Sequence, residues 1–176
     1  MQRSVTDAGN RGRGRVLVYG YGNPGRQDDG IGPAVVGEID REIKRGTFSL
    51  VDTDANYQLG IEDAAQIGGY DLVLFVDTAV DQEAEVTVRK VEPGAEITFT
   101  SHFVKPESVL AMCEDLYGST PSSWIIGVRG YSFEYAEGLT PQAERNFRQA
   151  LGFIILLLRA HEEGTMAKEQ KTVLII

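Results

Sequence analysis

The stretch YGYGNPGRQDDGIGP, residues 19–33, decides how the rest of the chain is read. Gly20, Gly22 and Gly25 spell GxGxxG, the pattern of a dinucleotide cradle in which N–H groups at a helix start point at a pyrophosphate. That geometry needs the third glycine inside the first helical turn. Here Pro24 disfavours the helical conformation at Asn23, Asp28-Asp29-Gly30 reads as a turn, and Gly32-Pro33 is the first credible start of a helix. The intervening loop is long and carries two carboxylates, each opposing a phosphate by about 1 kcal/mol in water and by several at lower effective dielectric. The glycines are better explained as permitting a loop that holds an acid at the carboxyl edge of the first strand, where open α/β sheets bind ligands.

Working outward, RVLVYG (15–20) is a short apolar run ending in glycine, the pattern of a strand buried on both faces in a parallel sheet. FSLVDTD (48–54), DLVLFVDTA (71–79) and SSWIIGVRG (122–130) share its build, and AEVTVRKVEP (84–93) alternates apolar and charged residues as a half-exposed edge strand does. Helical patterns lie between them at 33–45, 60–68 and 105–118, and a last helix is expected after Thr140, a natural N-cap followed by Pro141. The alternation predicts an α/β fold: a mostly parallel twisted sheet of about five strands sandwiched between helices, with one edge strand antiparallel as an option.

A chain of 176 residues suits one domain, expected over 15–161 between a flexible arm (1–14) and a polar tail (162–176) whose closing TVLII reads equally as an added strand or a loose end. The formal net charge of −9 disfavours nucleic acid or an anionic membrane as partner. Cys113 is the only cysteine, which excludes an internal disulfide and a thiolate metal cage and suits the reducing cytoplasm; its expected role is that of a small buried apolar residue. FIILLL (153–158) is far shorter than the roughly 20 residues a bilayer requires.

Acids recur where strands are expected to end: Asp28 and Asp29 after the first, Asp52 and Asp54 on the second, Asp77 on the third. Asp77 follows LVLFV directly, and a charge so close to a buried run is costly unless paired, metal-bound or catalytic; a cap for a turn at Thr78 is the plainer alternative. His102, just before the Pro106 helix, reads as a surface or capping residue or, with an acid from the first loop and Asp77, as part of a small oxygen and imidazole set for a divalent ion. Asp28-Asp29-Gly30 taken alone is ordinary turn chemistry.

These segments resemble the hydrogenase maturation proteases, which trim the C-terminal extension of the large subunit of [NiFe] hydrogenases. The resemblance spans roughly 16–158 and rests on VLVYGYGNPGRQDDGIGPAVVGEI, VDTDANYQLG, LVLFVDTAV, SHFVKPESVL and IIGVRGYSFEYAEGLTPQAE, in that order. It implies that Asp29, Asp77 and His102 contact the metal and carry catalysis. Asp28 would orient Asp29 or face solvent, and Asp28 and Asp52 would be weaker elements of the substrate cleft. Many members have glycine after that Asp, where this chain has Thr53-Asp54-Ala55.

The resemblance further implies a cytoplasmic endopeptidase that recognises nickel already inserted in the large-subunit precursor, with no tightly bound cofactor of its own. A monomer is expected, since an acidic surface with few exposed apolar stripes does not suggest an obligate oligomer. The chain contains no HExxH and no GxSxG. Two other readings remain: a nucleotide-binding oxidoreductase module using Gly20, Gly22 and Gly25 with Asp52 or Asp54 on a ribose, and a non-catalytic chaperone that binds a nickel site.

Overall fold

The computed structural model describes residues 14–94, 104–165 and the backbone of 174–175. Its strands are β1 (Val16–Tyr21), β2 (Val51–Asn56), β3 (Leu72–Ala79), β4 (Val86–Val91), β5 (Ser122–Arg129) and the two-residue β6 (Leu174–Ile175). They form a six-stranded sheet in the order β2-β1-β3-β5-β4-β6. The β2-β1, β1-β3 and β3-β5 pairs are parallel, while β4 runs antiparallel to β5 and to β6. The expected half-exposed strand is thus the antiparallel one, and two residues of the tail cover its outer side.

Helices α1 (Ile31–Lys44), α2 (Asp63–Ile67), α3 (Pro106–Tyr117) and α4 (Pro141–Glu163) flank the sheet. Period-2 alternation with apolar residues on both sides tells the central strands where to put each helix. Val16 and Val18 of β1 and Leu72, Leu74 and Val76 of β3 join Val35 and Ile39 of α1 and Phe147, Ile154 and Leu158 of α4 in one buried cluster. Leu17 and Tyr19, Val73 and Phe75 point the other way, against Ile67 of α2 and Val109, Leu110 and Cys113 of α3. Cys113 is fully buried, as expected of a small apolar side chain.

Two of the boundaries that differ from the sequence reading bear on the site. Strand β2 begins at Val51 rather than at 48, because the amides of Ser49 and Leu50 donate to the Glu162 carboxylate of α4 at 2.6 and 2.7 Å. Helix α1 begins at Ile31, two residues before Pro33, and the preceding loop contains a kinked 3-10 segment, Pro24–Gly30. Asn23 caps that segment, its side chain accepting from the Gly25 N–H at 2.9 Å.

The first turn of α1 packs directly on strand backbone. A Cβ at Gly32 would meet the Tyr21 carbonyl at 2.5 Å and the Val76 carbonyl at 2.7 Å, and one at Gly20 would meet the Gly32 carbonyl at 2.3 Å. Gly37 of the same helix has open space where its Cβ would be. Gly20→Ala is therefore expected to destabilise the protein by about 1–3 kcal/mol through overpacking. Gly37→Ala should stabilise it by about 0.5–1 kcal/mol through helix propensity, both read by urea denaturation.

Candidate active site

The carboxyl edge of the parallel strands is where the loop after β1, the last residues of β3 and the start of α3 meet. Asp28 and Asp29 are adjacent on that loop and do opposite things. Asp28 is completely buried. Its carboxylate accepts from the Tyr131 and Ser132 amides at 2.8 and 3.1 Å and from the Thr140 amide and hydroxyl at 2.7 and 2.8 Å. Thr140 is also the N-cap of α4, accepting from the Ala143 N–H at 3.3 Å. The Asp28 carbonyl accepts the Thr78 hydroxyl of β3 at 2.7 Å, and its N–H donates to the Ser132 carbonyl at 3.2 Å.

An ionised carboxylate is an acceptor-only group, so four converging donors match it and no basic side chain is required. Of the two roles considered for Asp28, orienting Asp29 or facing solvent, burial rules out the second. Asp28 is a clamp that ties the loop after β1 to the segment 130–140.

Asp29 faces away from the clamp. One of its oxygens accepts the Asn23 N–H at 3.0 Å, and its charge acts on Asp77 of β3. Close approach at this point depends on Gly22, whose φ of +138° and whose missing Cβ, which would sit 1.9 Å from the Asp29 carbonyl oxygen, admit no other residue. Gly25 lies in the 3-10 segment ahead of Ile31, where α1 begins, so the third glycine of GxGxxG is not in the first turn of α1.

Asp77 is the sixth residue of β3 rather than its last, opposite Gly127 of β5. Burial pushes its carboxyl up from 3.8 to about 6, aided by the Asp29 charge and opposed by hydrogen bonds from the Tyr21 hydroxyl and the Thr78 N–H. Tyr21 closes β1 on the same sheet face as Leu17 and Tyr19. Burial first, and then Asp77, hold its phenol well above the usual range, with Glu107 adding to the shift and Arg89 opposing it. Arg89 of β4 and Glu107 in the first turn of α3 form an ion pair at 2.8 Å.

Tyr21, Arg89 and Glu107 were not singled out from sequence. The signal for the tyrosine was present, since the period of 2 that puts Leu17 and Tyr19 on the α3 face puts Tyr21 there too.

Asp52 does not end its strand. The late start of β2 makes it the second residue of the strand, in register through Leu17 with Val73 and so toward the amino ends of the strands, away from Asp77. There it pairs with Arg15 at 2.6 Å. Asp54 accepts from the Gln66 side-chain amide and from the Ala55 N–H, both at 2.8 Å. His102 lies outside the described residues, which resume two residues before α3. Among the described residues no group of three His, Cys, Asp or Glu side chains is placed to hold a metal ion.

No protein-family model and no curated protein matches this chain. Solved structures do, and the fold is that of the [NiFe] hydrogenase maturation proteases. The chain is similar to the [NiFe] hydrogenase maturation protease HycI from Thermococcus kodakarensis KOD1, at 19% identity and a TM-score of 0.65 over 84% of this chain and 94% of that one. It is similar to the hydrogenase maturating endopeptidase HybD from E. coli, at 22% identity and a TM-score of 0.65 over 85% and 94% of the two chains. A hydrogenase 2 maturation peptidase from Thaumarchaeota archaeon SCGC_AB-539-E09 aligns with a TM-score of 0.57 and 23% identity over 82% of this chain and 97% of that one.

The raised carboxyl of Asp77 fixes a pH dependence. Between its unfolded value near 3.8 and its folded value of about 6 the native state holds the extra proton, so stability falls as pH rises through this window and stays lower above it. Asp77→Asn is expected to leave stability near pH 4 little changed and to raise it at pH 7 by on the order of 2–3 kcal/mol, measured by denaturant titration at the two pH values.

Proposed function

We propose that this chain is a hydrolase, an endopeptidase of [NiFe]-hydrogenase maturation that removes the C-terminal extension of a large-subunit precursor. The observation that carries the reading is the Asp29/Asp77 pair: two carboxyl groups within electrostatic reach at the ligand-binding edge of this fold, one of them held protonatable near neutral pH by burial. Both the fold, shared with proteins named as hydrogenase maturation proteases, and the motif order from the first loop to α4 support it.

Asp29, Asp77 and His102 are the residues assigned to the metal and to catalysis. Nickel belongs to the substrate in this reading, already inserted in the precursor and recognised there. The donor chemistry fits a divalent cation, because a cation between the two carboxylates offsets the repulsion and desolvation that raise Asp77. A bound divalent ion polarises a peptide carbonyl or lowers the pKa of a water. The chain's own groups orient that site: Asp28 fixes the loop that carries Asp29, and Tyr21 donates to Asp77. The protein acts in the cytoplasm as a monomer that forms a transient complex with the precursor.

The dinucleotide reading is weakened by the position of Gly25 outside the first turn of α1 and by Asp29 on the intervening loop. A non-catalytic nickel-site chaperone is separated by mass spectrometry, since only a protease lowers the mass of a nickel-loaded precursor on incubation. His102→Ala and Asp77→Ala are each expected to reduce that processing at least about a hundredfold while the far-ultraviolet circular dichroism stays native. Cleavage at the wild-type rate by either variant removes that residue from the site, and an unchanged precursor mass with the wild-type protein removes the protease reading.

A further inference from the structure

The rim around the acid pair carries aromatic side chains that the fold does not use. Among the described residues Tyr135 is 89% exposed, Tyr57 73% and Val80 60%, and all three lie at the carboxyl edge: Tyr57 just after β2, Val80 just after β3, Tyr135 between β5 and α4. In the strand order β2-β1-β3-β5 they bracket Asp29 and Asp77 from both sides. An exposed tyrosine buries almost nothing in the monomer, so its contribution to folding is small. Tyrosine is, however, among the residues that dominate binding energy at protein interfaces.

Tyr135 is also held in place. The Arg26 guanidinium lies 5.7 Å from its ring centroid and donates from Nε and an Nη to the Phe133 carbonyl at 3.3 Å each. The Gln27 N–H donates to the Ala136 carbonyl at 2.9 Å, and the Ser132 hydroxyl donates to the Gln27 side chain. With the Asp28 clamp, these bonds fix the segment 130–140 against the catalytic loop at several points. An aromatic side chain presented on a rigid support loses little further entropy when it docks.

Charge says what docks. Acids outnumber bases among the exposed ionisable groups beside these residues: Asp81, Glu83 and Glu85 follow Val80, and Glu134 and Glu137 flank Tyr135, against the exposed Arg26. Arg26 and Arg129, the basic groups of the same region, lie near tyrosine rings and donate to the carbonyls of Phe133 and Glu83. Beside Tyr57 a cavity of about 280 Å³ is lined by Asn56, Tyr57, Leu59, Glu62 and others, and its ionisable lining is acidic. It suits a lysine or arginine side chain from a partner.

We propose that Tyr57 and Tyr135 anchor a docking surface for a basic face of the folded protein substrate, on either side of the cleavage site. This rests on the reading above that the substrate is the large-subunit precursor. The surface makes the enzyme recognise a folded protein in addition to the segment it cuts.

The test compares wild type with Tyr57→Ser, Tyr135→Ser, the double variant and Tyr117→Ser, a 53% exposed tyrosine at the far end of α3. The probe is the nickel-loaded large-subunit precursor of the host hydrogenase; Kd is measured by calorimetry, single-turnover cleavage at saturating precursor by mass spectrometry, and folding by thermal melting. The expected result is a Kd weakened about ten- to a hundredfold in each rim variant and more in the double, weakening further with salt, with melting and saturated cleavage unchanged and Tyr117→Ser like wild type.

Rim variants that bind and cleave as wild type does overturn the docking surface and leave the protease reading standing. Loss confined to saturated cleavage with Kd unchanged also overturns it. A wild-type protein that neither binds nor cleaves the precursor overturns both.

Discussion

A single buried carboxylate organises this molecule's functional edge. Asp28 sits among four hydrogen-bond donors drawn from three points of a distant segment, Tyr131, Ser132 and Thr140, while its own carbonyl accepts from Thr78 of the central strand. Without the carboxylate those donors would face one another across a dry cavity, at about 1–3 kcal/mol for each left unsatisfied. Two consequences follow from one side chain: the N-terminus of α4 is anchored to the sheet edge, and the loop after β1 is pinned in one conformation. Gln27, immediately before Asp28, has a φ of 46°, unusual for a residue other than glycine, and the bonds on either side of it hold that conformation.

The pinned loop gives its neighbour a direction. Asp29 is left half-buried and turned toward Asp77, where burial and like charge act together against ionisation. A fold selected for stability alone would place an amide or an apolar residue at position 77. Keeping a carboxyl there lowers native stability above pH 6, which fits a group kept for chemistry rather than for folding. The ligand-binding edge, the acid pair and the clamp beside it are therefore one construction.

Much of this was legible in the chain. Residues 15–20 and 71–79 placed β1 and β3 because both faces of each strand are apolar, and Thr140-Pro141 placed the start of α4 because cap and first-turn chemistry are local. Asp77 stood out as a charge at the end of an apolar run. What stayed hidden depends on distant partners. Nothing near residue 28 reveals that donors more than 100 positions away converge on it, so only the family resemblance, and not local chemistry, told Asp28 from Asp29. The second strand was read three residues early because Phe48 and Leu50 look like strand, whereas Glu162 of α4 takes the amides of Ser49 and Leu50 and pairing begins at Val51. Its last residues, Asp54, Ala55 and Asn56, have weak strand propensity and are extended only because β1 pairs with them.

The central claim is that the clamp on Asp28 sets Asp29 against Asp77. It is tested most directly by carbon-13 titration of the aspartate side-chain carboxyl groups in the intact protein and in Asp29→Asn. The account predicts that Asp77 titrates with an apparent pKa near the value of about 6 in the wild type and lower once residue 29 is uncharged. An Asp77 that titrates in the ordinary carboxylate range near 4, indifferent to residue 29, would contradict it.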